Sequence, residues 1–367
     1  MSEIFACDII EGSYKPLIIT RNMKKARVAI NGFGRIGRLF FRSAILSEDM
    51  EIVAINDLGD LENLAYLLKY DTVYGRYDKA VTTDAANGKI IVNGEEIKFL
   101  QIKDPTQLPG KDLGIDIVVE STGLFESYEK ANVHLQAGAK RVVITAPAKD
   151  DDGPNGKTVL VGVNEEALQS CLITSNGSCT TNSVSPVISV LSENPGIMKA
   201  MLSTVHAYTA TQSLVDSPVR GGSDYRRGRA AAHNVSPSTT GAAIAVARAL
   251  PDMKGKFDGM AFRVPNITGS LSDITFVAKR KTSVEEINQI LRDAVALPRW
   301  QGILKITEDQ IVSSDIVGES YGAIVDLSFT KVVDGDLVKV LSWYDNEAGY
   351  VSTLVKHVEK VAALVVG

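Results

Sequence analysis

R-V-A-I-N-G-F-G-R-I-G-R, residues 27–38, is the stretch that decides the fold. Arg27–Asn31 reads as a first strand. G-x-G-x-x-G then follows at Gly32, Gly34 and Gly37 and opens a helical pattern through Leu39, Phe40, Ala44 and Ile45. Glycines in that place permit a tight turn and let the backbone approach a pyrophosphate. The free N–H groups and positive dipole end of the helix favour the phosphate charge. A second strand is expected at Glu51–Asn56, and Asp57 follows it, 20 residues after Gly37. A carboxylate there can accept both ribose hydroxyls of NAD and repels the 2′-phosphate of NADP. The bland alternative is a glycine turn and a capping aspartate in some other doubly wound protein. The complete succession of strand, turn, helix, strand and acid argues against it.

Working outward, short β-branched runs at Ile90–Val92, Ile97–Leu100, Ile115–Glu120 and Arg141–Thr145 alternate with helical patterns, which predicts βαβ units and a parallel sheet covered on both faces. From Ser175 the character changes. A helix is expected to begin at Cys179, and longer strand-like runs follow at Ala200–Tyr208, Asp258–Val264, Ser272–Arg280, Glu319–Leu327 and Leu337–Trp343. The expected fold class is α/β, with a Rossmann-type doubly wound parallel sheet domain over 26–177 and an α+β catalytic domain with a mostly antiparallel sheet over 178–345. The last segment, Tyr350–Val366, is apolar at helical spacing, and a C-terminal helix over 346–367 is expected to complete the first domain. Residues 1–25 are expected to be an N-terminal extension or, with Met23 just before the first strand, to reflect a misplaced start.

Bulk properties narrow the possibilities further. The 367 residues suffice for two domains, and 45% hydrophobic with 23% charged residues is a soluble, globular balance. Net charge is −5 and the cations are dispersed, so nucleic acid is not an expected partner, the cluster Arg220–Arg229 being the local exception. No apolar run approaches the roughly 20 residues that span a bilayer, and the N-terminus lacks an export signal. Three cysteines, Cys7, Cys171 and Cys179, are too few for a disulfide framework or a cysteine-rich metal site; no metal is expected, and a reducing cytoplasm is.

Cys179 stands apart from the other two. It follows Asn176-Gly177-Ser178 and precedes a helical pattern with Val184, Val187 and Ile188, which puts the thiol at a helix N-terminus, where partial positive charge favours the thiolate. His206 comes 27 residues later, at the end of the expected strand, within reach as an acid/base partner. Cys7, Cys171, His134, His233 and His357 take the commoner structural reading.

The residues N-G-F-G-R-I-G-R at 31–38, S-C-T-T-N at 178–182, H-A-Y-T at 206–209, R-R-G-R-A-A-A at 226–232, S-T-T-G-A-A at 238–243, A-F-R-V-P at 261–265 and W-Y-D-N-E at 343–347 resemble those of the glyceraldehyde-3-phosphate dehydrogenase family, from about Ala26 to the C-terminus. The resemblance implies a phosphorylating, NAD-dependent oxidation of a phosphorylated aldehyde, with Cys179 as nucleophile and His206 as its acid/base partner. It implies two anion sites. The substrate phosphate would take Thr209, Arg263 and an arginine of the Arg226–Arg227 pair, Arg227 being the choice; attacking inorganic phosphate would take Ser178, Thr180, Thr240 and Gly241. NAD would take Gly34, Arg35, Ile36, Asp57, Ser121, Thr122, Gly123, Thr145, Asn346 and Tyr350. The stretch Tyr208–Arg229 resembles a loop that reaches a neighbouring subunit's cofactor, which implies a homotetramer, and Asp57 with Pro218 resembles the NAD-using branch.

Three positions and one segment depart from the family's pattern: Gly177 where alanine is frequent, Ser183 where a second cysteine often follows, Ile244 in place of a lysine, and Asn266-Ile267-Thr268-Gly269 after R-V-P. None removes an anion-binding group. The rival readings are erythrose-4-phosphate dehydrogenase, whose thioester is hydrolysed, and a non-catalytic binding protein on the same fold.

Overall fold

The computed structural model describes residues 24–219 and 223–367. Most of the N-terminal extension, with Cys7, and also Arg220 of the arginine cluster lie outside the described residues. Two sheets organise the chain. The first takes β1 (Ala26–Asn31), which leads through helix α1 (Arg35–Ala44) to β2 (Met50–Asn56) and helix α2 (Leu61–Lys69). A small ribbon of β3 (Tyr70–Asp71) and β4 (Gly75–Arg76) precedes β5 (Val81–Asp84), β6 (Lys89–Val92) and β7 (Glu95–Leu100). β8 (Ile117–Glu120), helix α3 (Tyr128–Gln136), β9 (Arg141–Ile144), β10 (Lys157–Thr158) and β11 (Ile173–Ser175) complete it.

Its nine strands lie in the order β10-β11-β9-β8-β1-β2-β7-β6-β5. From β10 to β7 every neighbouring pair is parallel; β6 and β5 turn back as an antiparallel meander. The expectation of a parallel sheet therefore holds for its centre and is corrected at that edge. The physical reason is connection length: β5, β6 and β7 are joined by turns of a few residues, which allow only hairpins, whereas parallel neighbours need a crossover. The continuously apolar strand Ile117–Glu120 shows burial on both faces. Ile117 and Val119 pack with Val28, Ile30, Phe40 and Phe41, while Val118 packs with Tyr128 and Val142.

Helix α4 (Cys179–Glu193) opens the second half. β12 (Ile197–Ala207), β13 (Ser236–Thr239), helix α5 (Ala242–Ala249), β14 (Phe257–Val264) and β15 (Ser270–Ala278) follow. Helix α6 (Val284–Val295), β16 (Leu304–Thr307), β17 (Ala323–Val333), β18 (Leu337–Tyr344) and the terminal helix α7 (Ala348–Val366) end the chain. The seven strands run in the order β13-β14-β12-β15-β18-β17-β16, mostly antiparallel, with β12–β14 and β16–β17 parallel. One face buries Leu202, Ile274, Phe276 and Val340 against Val184, Val187, Ile188 and Leu191 of α4. On strands of the same sheet Met201, Val205 and Met260 stay exposed. Helix α7 returns to the first sheet, where Tyr350, Val351, Leu354, Val358 and Val361 join the Phe40–Phe41 core. No described helix is long and apolar enough to cross a membrane.

Candidate active site

The turn after β1 is built by close approach. Gly32 has φ +94°, and a Cβ on it would lie 2.6 Å from the Ser121 carbonyl carbon; one on Gly37 would lie 2.1 Å from the Gly32 carbonyl oxygen. Side chains are thus excluded on the packed side. At Gly34 nothing lies within 4 Å of the Cβ position, so this N-cap of α1 faces open space and carries no side-chain cap. The first-turn N–H groups, at Arg35, Ile36 and Gly37, are left for a ligand, which is the anion cradle that a pyrophosphate needs. Asp57 sits beside it, accepting from Phe33 N at 2.6 Å and Gly59 N at 2.8 Å, which fixes its carboxylate at the end of β2.

The next strand end supplies Ser121, whose Oγ donates to the Gly32 carbonyl at 2.6 Å and so braces the turn. Thr122 donates its N–H to buried Glu120 at 2.8 Å, and Gly123, with φ +74°, completes the bend. Thr145 follows β9, with its N–H on the Glu120 carbonyl at 3.0 Å. Asn346 lies on the other side. Its Oδ1 accepts from Ser270 Oγ at 2.9 Å and Gly269 N at 3.1 Å, and among the described residues no acceptor takes its Nδ2. That leaves an amide donor held in a fixed direction. The side chains of two expected cofactor residues point elsewhere: Arg35 bonds to Glu347 and Asp71, and buried Tyr350 donates to the Gly177 carbonyl at 3.2 Å.

Cys179 is the first residue of α4, as expected, and stands where the chain leaves β11 for the second sheet. Ser178 caps the helix in a capping box with Thr181, an arrangement worth about 1 kcal/mol. Gly177 has φ +63°, and a Cβ there would meet Thr181 Cγ2 at 2.9 Å, so glycine suits this turn better than the alanine frequent in the family. Asn182 bridges the loop from inside, donating to the Asn176 carbonyl at 2.7 Å and the Ser178 carbonyl at 3.0 Å. Behind it, His357 of α7 contacts Asn176 Oδ1 at 3.1 Å and Thr174 Oγ1 at 2.8 Å.

Cys179 Sγ lies 3.3 Å from His206 Nε2. His206 belongs to β12, whose parallel pairing with β14 sets Arg263 directly beside it. The other ring nitrogen, Nδ1, is 2.7 Å from both the Ala207 carbonyl and Arg263 Nη1. These two contacts select opposite tautomers. With Nδ1–H donating to Ala207, Nε2 is free to take the thiol proton; with Arg263 donating to Nδ1, Nε2–H faces a thiolate. One proton is therefore shared between sulfur and Nε2 in either state. Burial pushes the thiol up, opposed by Arg263 and the Thr180 N–H, and burial with Arg263 pushes the imidazole down to about 3.

Beneath it, the hydroxyl of Tyr344 is 2.8 Å from both Thr180 Oγ1 and Thr204 Oγ1, so the Thr180 hydroxyl is buried and its N–H is the group at the helix end. Arg227 reaches Ser238 Oγ at 3.1 Å and Thr211 Oγ1 at 3.4 Å; Thr209 Oγ1 also meets Thr211, at 3.0 Å. Arg226 instead pairs with Asp224 at 2.7 Å. Arg263 is lowered by burial and, less strongly, by the positive charge of Arg227. Among the described residues neither Arg227 nor Arg263 has a carboxylate partner, and guanidiniums so placed suit a planar anion. Thr240 Oγ1 accepts from Ala242 N at 3.2 Å, and Gly241 caps α5 with open space around it.

Several organising residues were not singled out by sequence reasoning. Asp345 is fully buried and accepts from Tyr74 Oη at 2.8 Å, Gly318 N at 2.8 Å, Glu347 N at 2.9 Å and Ala348 N at 3.0 Å. The signal for Tyr344, Asp345 and Glu347 lay in W-Y-D-N-E; for Asp71 and Tyr74 there was none.

A dinucleotide turn, a fixed amide donor, a thiol–imidazole pair and two arginines without carboxylate partners are features of an NAD-dependent oxidoreductase. Comparison with known proteins narrows this. Residues 26–128 match the glyceraldehyde 3-phosphate dehydrogenase NAD binding domain and residues 178–346 match its C-terminal domain. The chain is 50% identical to the glyceraldehyde-3-phosphate dehydrogenase of Thermotoga maritima over 91% of its length and 98% of the relative's. It is 46% identical to that of Clostridium pasteurianum (92% and 99%) and 47% identical to that of Geobacillus stearothermophilus (88% and 94%). The chain belongs to the glyceraldehyde-3-phosphate dehydrogenase family.

Proposed function

We propose that this chain oxidises glyceraldehyde 3-phosphate with NAD and inorganic phosphate to 1,3-bisphosphoglycerate, through a thioester on Cys179. The observation that carries the reading is the 3.3 Å contact between Cys179 Sγ at a helix N-terminus and His206 Nε2, with Arg263 beside the ring. Nε2 takes the thiol proton, and sulfur attacks the aldehyde carbon. The oxyanion that forms takes this proton back from Nε2, and the resulting hydroxyl returns it to His206 as the carbonyl re-forms. The Gly34–Ile36 turn, Asp57, Ser121–Gly123, Thr145, Asn346 and the Tyr350 region would hold NAD, which when bound would supply the acceptor for the hydride that leaves this carbon. A phosphate oxygen then attacks the thioester, the carbon–sulfur bond breaks, and sulfur leaves as thiolate.

Arg227, Arg263 and Thr209 hold the substrate's phosphate in this reading, and Ser178, Thr180, Thr240 and Gly241 receive the attacking one. Two guanidiniums without carboxylates support the first assignment; the N-caps of α4 and α5 support the second. A homotetramer is part of the proposal. Exposed Met201, Val205 and Met260 on the second sheet, with exposed Leu214, Val215 and Tyr225 in the 208–229 loop, supply apolar surface for partner subunits. The compartment that fits the chemistry and the scarcity of cysteines is the cytoplasm.

The test is NADH absorbance with glyceraldehyde 3-phosphate, with and without inorganic phosphate, in the wild type and in Cys179→Ser. Phosphate-dependent formation lost in the variant is the expected result. Activity indifferent to phosphate, or confined to erythrose 4-phosphate, would move the chain to the hydrolysing rival; no activity with any phosphorylated aldehyde would favour a binding protein.

A further inference from the structure

Arg35 stands in the pyrophosphate turn, yet its guanidinium is engaged by protein. Nε donates to Glu347 Oε1 at 2.8 Å, Nη2 to the other Glu347 oxygen, and Nη1 to Asp71 Oδ2 at 2.5 Å. The Asp71 and Glu347 side chains are only 5% and 15% exposed, so these bonds are shielded from water. Asp71 Oδ1 accepts from Val73 N at 2.9 Å and Tyr74 N at 3.1 Å, which shapes the β3–β4 ribbon. From that ribbon Tyr74 donates to Asp345 and accepts from Ala348 N at 3.2 Å. Glu347 directly follows Asn346. Charge-assisted bonds therefore tie the glycine turn to Glu347, the residue next to Asn346, between residues 312 positions apart in the chain.

We propose that Arg35, Asp71 and Glu347 are a positioning triad that sets the distance between the pyrophosphate turn and Asn346 and makes no contact with NAD through its own side chains. This rests on the cofactor assignments above. Burial alone would lower the Arg35 guanidinium, and the two carboxylates reverse that, as expected for a group fully committed to protein partners. Removing Glu347's charge frees α1 from the start of α7 and leaves the turn itself, whose glycine packing does not involve these side chains.

ADP-ribose separates alignment from damage, because it fills the turn without using Asn346. In Glu347→Gln, NAD affinity is expected to fall about tenfold while ADP-ribose affinity changes less than about twofold, and kcat at saturating NAD is expected to fall about fivefold. Asp71→Asn should give the same split at about threefold, since the amide keeps the hydrogen bonds. Near-UV circular dichroism checks the fold; if Glu347→Gln fails that check, Glu347→Asp, which keeps the charge and shortens the reach, must show the split. Equal weakening of both ligands, or no change in either, would overturn the triad. A wild type that binds neither NAD nor ADP-ribose would overturn the cofactor reading and the triad with it, so the two failures look different.

Discussion

The glycine turn after β1 and the Arg227–Arg263 pair are the two phosphate sites of the proposed function, and they are made by opposite means. The turn is contiguous: six residues, no side chain facing the ligand, and a geometry enforced because Cβ atoms at Gly32 and Gly37 have nowhere to go. The arginine pair is assembled from a loop at 227 and strand β14 at 263, and is positioned by Ser238, Thr211 and His206. A site built from backbone is fixed by packing, so it tolerates almost no change of shape. One built from side chains tolerates local change and is lost one hydrogen bond at a time.

The sharpest way to probe the side-chain-built half is His206→Asn, expected to lower kcat by about 10²–10⁴-fold, because the thiol loses the imidazole 3.3 Å away, with NAD affinity unchanged. Rapid-mixing kinetics of NADH formation checks it. A loss under threefold would mean that sulfur ionises without the imidazole.

The backbone-built half is tested by Gly37→Ala. The new methyl would strike the Gly32 carbonyl, and a loss of about 1–3 kcal/mol or more is expected in urea unfolding. Gly34→Ala, with open space around it, should stay within about 0.5 kcal/mol while obstructing the pyrophosphate. If the two substitutions cost the same stability, the contrast between packed and open glycines is wrong.

Arg227→Met should cost about 1.5–3 kcal/mol of substrate binding, read as a KM for glyceraldehyde 3-phosphate raised by about 10–100-fold with the KM for NAD unmoved. A matching rise in the NAD value would place Arg227 outside the substrate site.

A further expected effect follows from histidines buried near the thiol. Burial pushes His206 down to about 3 and His357 to about 4, from an unfolded value of 6.5. Below pH 6.5 the unfolded chain takes up protons that the folded one refuses, so stability falls with pH, by about 2 kcal/mol per histidine between pH 6.5 and 5; above pH 7 neither contributes. His357→Gln should remove about half of that slope in urea midpoints measured at the two pH values. An unchanged slope would assign the acid sensitivity elsewhere.

What could be read beforehand follows the same division. The first strand, the glycine turn, Asp57 and the start of α4 at Cys179 are local, and the sequence placed them within a residue or so. The adjacency of His206 and Arg263 depends on β12 pairing in parallel with β14, a choice no local pattern encodes. The strand expected at Glu319–Leu327 lies at Ala323–Val333, because Gly318, Glu319 and Gly322 belong to turns whose apolar neighbours imitate strand spacing. β11 and β13 escaped notice, being three and four residues long. Arg35 was legible as a residue of the turn but not in its task, since its partners lie 36 and 312 positions away.

Helix α7 gives the chain's order of synthesis a meaning. Phe40 and Phe41 emerge early and lack their covering helix until the last residues are made, and the loop behind Cys179 waits for Tyr350 and His357 to brace Gly177 and Asn176. A chain made only as far as Cys179 therefore carries the thiol without the α7 contacts to Gly177 and Asn176. Synthesis of α7, and not the appearance of Cys179, is the step that braces this loop.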